Sequence, residues 1–158
     1  MRFLLVDRIE EVVPGSLVRG WKAVAMSEDY LEWHFPDRPI LPGTLVAEAF
    51  AQLAGWHEAV ASDFQRWALV DRVTSARYFG FSVPGDRLDL RLEVRATDDP
   101  ARRTFAGEAT AGGERRALVE FEAVVTPLAE LEDPARMRRL YDALRGTKPT
   151  ADPRRGRS

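Results

Sequence analysis

The sequence contains no cysteine and only two histidines, His34 and His57. Disulfides, thiolate nucleophiles and zinc–thiolate sites are thereby excluded, and no histidine-rich metal site can be assembled. No carboxylate cluster shows a metal-ligand spacing. There is no excess of either charge: 23 basic residues against 25 acidic ones leave a net charge of −2. A nucleic-acid binder would normally carry a basic excess or stripe. No apolar run reaches membrane-spanning length. Residues 1–10 lack the apolar core and small-residue cleavage site of a secretory signal. A soluble, cytoplasmic protein is therefore expected. Ser62, Ser75 and Ser82 lie outside any nucleophile-elbow context, so a serine triad has no supported nucleophile.

What the chain does have is enough apolar material for one core. Its 158 residues are 45% hydrophobic, which fits a single domain. The expected organisation is a domain over residues 1–130, a short C-terminal helix over 131–145 and a disordered tail over 146–158. The first strand signal covers residues 3–6 and extends toward Val13. A second covers 17–24, after the Pro14-Gly15 turn. Residues 27–43 carry Pro36, Pro39 and Pro42 and are neither helix interior nor central strand. From Thr44 to Ala54 the chain has no breaker and is apolar nearly all round, the pattern of a buried helix that continues toward Ala61. Strand-like runs follow at 67–70, 76–83, 88–96, 104–111 and 116–125, separated by turn residues. Leu88, Leu90, Leu92 and Val94 alternate strictly with charged residues, as in a strand with one wet face. The fold class is α+β: an antiparallel meander curled around one helix. One modest sheet leaves part of such a helix uncovered, which points to a second subunit.

Two ionisable residues keep unusual company. His34 opens a proline-rich loop, and Glu48 sits within the apolar helix. Burial raises a carboxylate's pKa and suits it to act as an acid, while a neutral histidine suits a base. Gly43 stands where the helix begins, among amides with no partner in the helix and at the positive end of its dipole. Residue by residue this does not decide the matter. A histidine after an aromatic is more often packed or on the surface, and a helical glutamate more often faces water or an arginine.

The longer pattern decides. The run His34-Phe35-Pro36-x-x-Pro39-x-x-Pro42-Gly43, followed by Glu48-Ala49-x-Ala51-Gln52, resembles the 3-hydroxyacyl-(acyl-carrier-protein) dehydratases of fatty-acid synthesis. Phe3-Leu4-Leu5-Val6-Asp7-Arg8 upstream and Val83-Pro84-Gly85-Asp86 downstream keep the same order. The resemblance covers about residues 3–125. It implies a hot-dog fold, a curved antiparallel sheet wrapped around one long helix. It implies a homodimer with sheets joined edge to edge and shared active sites, the histidine from one subunit and the acid from the other, and a trimer of dimers as a larger assembly. It implies removal of water from a 3-hydroxyacyl thioester with no cofactor and no metal. His34 would take the proton alpha to the carbonyl and Glu48 would protonate the departing hydroxyl. The Gly43 amide would bind the thioester oxygen, and Gln52 would orient Glu48.

Departures from the family pattern are also visible. Asp37 stands where a glycine is usual, and aspartate tolerates left-handed angles. Trp33 replaces a small residue, either to shield His34 or simply to pack. Arg77 is retained from a basic carrier-docking segment, but Phe79, Gly80 and Phe81 follow it. This leaves acyl carrier protein and coenzyme A both open as carriers. Trp67 is the nearest candidate for an aromatic gate. The alternatives are a thioesterase on the same fold or a non-catalytic acyl-binding subunit.

Overall fold

The computed structural model describes residues 4–146. Phe3 and the tail beyond Gly146 lie outside the described residues. Six strands form one sheet: β1 Arg8–Val13, β2 Leu17–Ala23, β3 Arg66–Tyr78, β4 Arg87–Arg95, β5 Arg102–Ala111 and β6 Glu114–Pro127. Among the described residues two α-helices accompany them, α1 Gly43–Ala61 and α2 Pro134–Arg145. The strand order is β1-β2-β4-β5-β6-β3, antiparallel throughout. The sheet wraps α1, which is the hot-dog arrangement that the resemblance implied.

The inner face of the sheet follows from period-two alternation. Leu88, Leu90 and Leu92 of β4, Phe105 and Ala109 of β5, and Ala117, Val119 and Phe121 of β6 are all buried. They meet Val46, Ala49, Phe50, Leu53 and Ala54 of α1. Burying Phe50 or Leu53 contributes about 1.5–3 kcal/mol each. The outer face carries exposed pairs such as Arg91–Glu93 and Arg72–Glu122, which stabilise little.

Three expectations need correction. Residues 4–6 are not strand; the first strand begins at Arg8. The two runs at 67–70 and 76–83 are one strand, β3, which ends at Tyr78. Its pairing with β6 slips between Val70 and Arg72 and again between Val73 and Ser75, and this irregularity hides its continuity in the sequence. Residues 79–83 leave the sheet, although the Leu41 amide still donates to the Ser82 carbonyl at 2.8 Å.

The C-terminal helix agrees with expectation. Asp133 caps it by accepting from the Ala135 amide at 3.0 Å, Pro134 opens it and Gly146 closes it at φ +73°. Met137 and Leu144 are buried, and Leu140 and Tyr141 pack against the core.

Candidate active site

The loop that carries His34 is held by its own backbone. His34 Nδ1 donates to the Ile40 carbonyl at 3.1 Å. A carbonyl only accepts, so the proton of the neutral ring sits on Nδ1 and Nε2 is left as the acceptor. The left-handed residue of this loop is Phe35, at φ +58°, not Asp37. The turn is thus made one residue after the histidine, and the Phe35 ring meets the imidazole edge-on at 4.7 Å. Trp33 is 87% exposed, so within one chain it neither packs nor shields His34.

His34 and Gly43 line one cavity of about 580 Å³, with Thr44, Tyr78, Phe79, Phe81 and Arg116. Pro42 is the N-cap of α1 and supplies no capping side chain. The Leu45 amide donates to the Pro42 carbonyl at 2.9 Å, while the amides of Gly43 and Thr44 receive no side-chain cap at the positive end of the helix dipole. A β-carbon on Gly43 would lie 2.9 Å from the Tyr78 ring, so only glycine lets that ring close on the helix start. A histidine with a free Nε2 beside uncapped helix amides can abstract a proton and stabilise the resulting oxyanion.

Glu48 is placed differently from the sequence-based expectation. It is exposed in the single chain, not buried, and it does not line the cavity of His34 and Gly43. The first half of α1 is buried on one side only; complete burial begins at Leu53 and runs to Ala59. Gln52 lies one turn beyond Glu48. The Leu5 amide donates to Gln52 Oε1 at 2.9 Å, and Gln52 Nε2 donates to Glu48 Oε1 at 3.0 Å. The backbone of residue 5 thus fixes which end of the amide faces the carboxylate. Arg77 is exposed on β3, an edge strand of the sheet. Trp67 is not near the site: it packs against Gly55 and meets Trp56 edge-on at 5.1 Å. The Phe and Tyr residues at the cavity are Phe35, Tyr78, Phe79 and Phe81 instead.

Sequence reasoning missed the carboxylate that really is buried. Glu58 is 1% exposed, next to the equally buried His57. Arg103 Nε lies 3.1 Å from Glu58 Oε2, and Arg66 Nε lies 2.9 Å from Oε1. His57 Nε2 accepts from the Gly15 amide at 3.1 Å, which ties the β1–β2 turn to α1. Desolvation holds the His57 pKa below the ordinary histidine value. Both residues hold the fold. Among the described residues, no group of three or more His, Asp or Glu side chains is placed to bind a metal ion.

The model of the FabA-like domain matches residues 1–123. The chain belongs to the FabA-like domain family. It is 35% identical over 123 residues to the 3-hydroxyacyl-[acyl-carrier-protein] dehydratase FabZ of Clostridium acetobutylicum, covering 77% of this chain and 86% of the relative. It is 36% identical over 126 residues to the enzyme of that name from Myxococcus xanthus, covering 78% and 82%. Among solved structures, the hot-dog-like protein of Thermanaerovibrio acidaminovorans superposes with a TM-score of 0.62 at 18% identity, covering 80% of this chain and 93% of that one. This last likeness speaks to the fold alone. The FabA-like match ends in β6, so α2 is an addition beyond the matched region.

Proposed function

We propose that this FabA-like chain removes water from 3-hydroxyacyl thioesters to give trans-2-enoyl thioesters in acyl-chain biosynthesis. The observation that carries the reading is the tautomer lock: Nδ1 is committed to Ile40, and Nε2 is left as acceptor beside the start of α1. His34 Nε2 takes the proton from the carbon alpha to the carbonyl. The Gly43 amide donates to the thioester oxygen as charge builds there. The electron pair moves to form the double bond, and the 3-hydroxyl leaves with a proton from the Glu48 carboxyl group, as water. The step ends with one proton more on His34 and one fewer on Glu48, and exchange with solvent restores both for the next turnover. Gln52 holds the acid in position.

Within one chain Glu48 stands outside the His34 cavity, so the reading requires a homodimer in which His34 of one chain meets the partner's acid. Support comes from the edge strand β3, which carries the exposed Leu69, Val70 and Val73. An apolar edge of this kind invites pairing with a second copy. Arg77 sits on the same strand and is the candidate contact for an acyl carrier protein. A soluble, cytoplasmic enzyme fits this role.

Incubation with 3-hydroxybutyryl and longer thioesters, on coenzyme A and on acyl carrier protein, tests the reading. It predicts enoyl product with the wild-type chain and loss of that product in His34→Ala and Glu48→Gln. Release of free thiol without enoyl product would instead identify a thioesterase. Binding without turnover on either carrier would identify an acyl-binding subunit.

A further inference from the structure

Arg116 has no part in the mechanism above, yet it lines the same cavity as His34 and Gly43. Among the described residues lining that cavity it is the one carrying a permanent positive charge. The surrounding wall is largely apolar. Its backbone is fixed to the segment that leaves β3, because the Phe79 amide donates to the Arg116 carbonyl at 2.9 Å. Gly80 makes room for the guanidinium: a β-carbon there would lie 3.3 Å from Arg116 Nη1.

The donor inventory of this arginine is incomplete. Nη1 pairs with Glu114 at 2.9 Å, and that carboxylate is 76% exposed. Nε is buried and has no partner. A sealed, unpaired N–H gains a hydrogen bond if the side chain swings off the solvated Glu114 toward an acceptor in the cavity. Glu114, two residues away on the same strand, stays a nearby negative charge when that pair opens, which disfavours a second anion and leaves a donor suited to a neutral oxygen. The chain limits how far the guanidinium can lie from the start of α1. Tyr78 touches the start of α1 at Gly43, and Gly80 lies two residues farther on, at most about 7 Å along an extended backbone.

We propose that Arg116 is a binding residue for the carrier arm. Its guanidinium donates to an amide carbonyl of the pantetheine arm, beyond the amide nearest the thioester. This rests on the reading that the substrate is a thioester on such an arm, which acyl carrier protein and coenzyme A share.

The test uses non-cleavable thioether analogues bearing one 3-hydroxybutyl group on N-acetylcysteamine, on pantetheine or on coenzyme A. Binding to the full chain is measured by calorimetry for wild type, Arg116→Met and Arg116→Lys. The expectation is that Arg116→Met weakens the pantetheine and coenzyme A analogues equally, by about tenfold. The N-acetylcysteamine analogue, which has only the nearer amide, should bind within about twofold of wild type; its retention also shows that the variant is folded. Arg116→Lys keeps the charge without the fork and should recover little. A loss confined to the coenzyme A analogue would move Arg116 to a phosphate and overturn the proposal. So would full recovery by lysine, an equal loss on all three analogues, no loss at all, or no binding to wild type. Should the expected pattern appear while no thioester is dehydrated, the arm subsite stands and the dehydratase reading falls.

Discussion

Arg103→Met tests how the second half of α1 is held. The carboxylate of Glu58 is almost wholly withdrawn from water and is held by Arg103 from β5 and Arg66 from β3. These strands flank β6 in the sheet, so one side chain ties the helix to both of its neighbours. Removing one partner of a buried ion pair typically costs about 3–5 kcal/mol, because the other charge is left stranded. Here the cost is smaller, since Arg66 remains at 2.9 Å. Arg66 is 48% exposed, however, so water screens its compensation. The expected loss is about 2 kcal/mol. For a chain of this size that is a fall in Tm of roughly 4–8 °C. Urea unfolding at fixed protomer concentration measures it, with an unchanged m-value as the sign that only stability has moved. Glu58→Met combined with Arg103→Met removes the stranded charge as well and should return to within about 1 kcal/mol of wild type. The reasoning is wrong if Arg103→Met costs less than about 0.5 kcal/mol, or if the double replacement costs the sum of the two single ones.

Other outcomes follow from the same geometry. Burial lowers the His57 pKa in the folded chain, so the unfolded chain binds more protons once the pH drops through the ordinary histidine range. Stability should therefore be fully present above that range and decline as pH falls below it. Melting temperatures from pH 8 to pH 5 should show the decline, and His57→Gln should flatten it. Gln52→Leu removes the donor to Glu48 and should lower kcat about tenfold with KM little changed, measured on any thioester that the wild type dehydrates. Val73→Lys places a charge on the β3 edge. Sedimentation velocity should show the dimer lost, and activity should be lost with it; a fully active monomer would rule out a shared site.

The parts of the fold that were readable in the sequence are those with a single wet face. Leu88, Leu90 and Leu92 alternate with charges because β4 is covered on one side and solvated on the other. β3 was readable only as two separate runs, 67–70 and 76–83, and not as one strand ending at Tyr78. It is an edge strand with an irregular register, and most of it is exposed on both faces in one chain, so its residues carry no clean alternation. The helix shows a subtler limit. Glu48 and Glu58 are both single carboxylates in an apolar run. Ten residues at 3.6 per turn rotate the second by about 280° from the first, onto a different face. Composition cannot say which face the sheet covers. The burial of Glu58 rests on Arg66, just past the end of α1, and on Arg103, 45 residues along the chain. Gln52 was readable because a spacing of four returns to the same face as Glu48.

The site divides in the same way. Its local geometry, from the His34 loop to the start of α1, lies within ten residues and was legible as a motif. Arg116 was not, because it comes from β6 and reaches the cavity only through the β3–β6 pairing. The position of Glu48 joins these levels. An acid that works on the same substrate as His34 must share its cavity, and in one chain it does not. It is nevertheless held by Gln52, itself fixed by the Leu5 amide, on the uncovered side of a helix whose other side is packed. A side chain restrained while facing outward is better explained as half of a site than as a solvated surface residue, for which no such restraint is needed. The same uncovered side and the apolar β3 edge would be covered by one and the same partner. The homodimer proposed above would account together for three features that a monomer leaves separate: the restrained acid, the one-sided burial of the first half of α1, and the exposed edge.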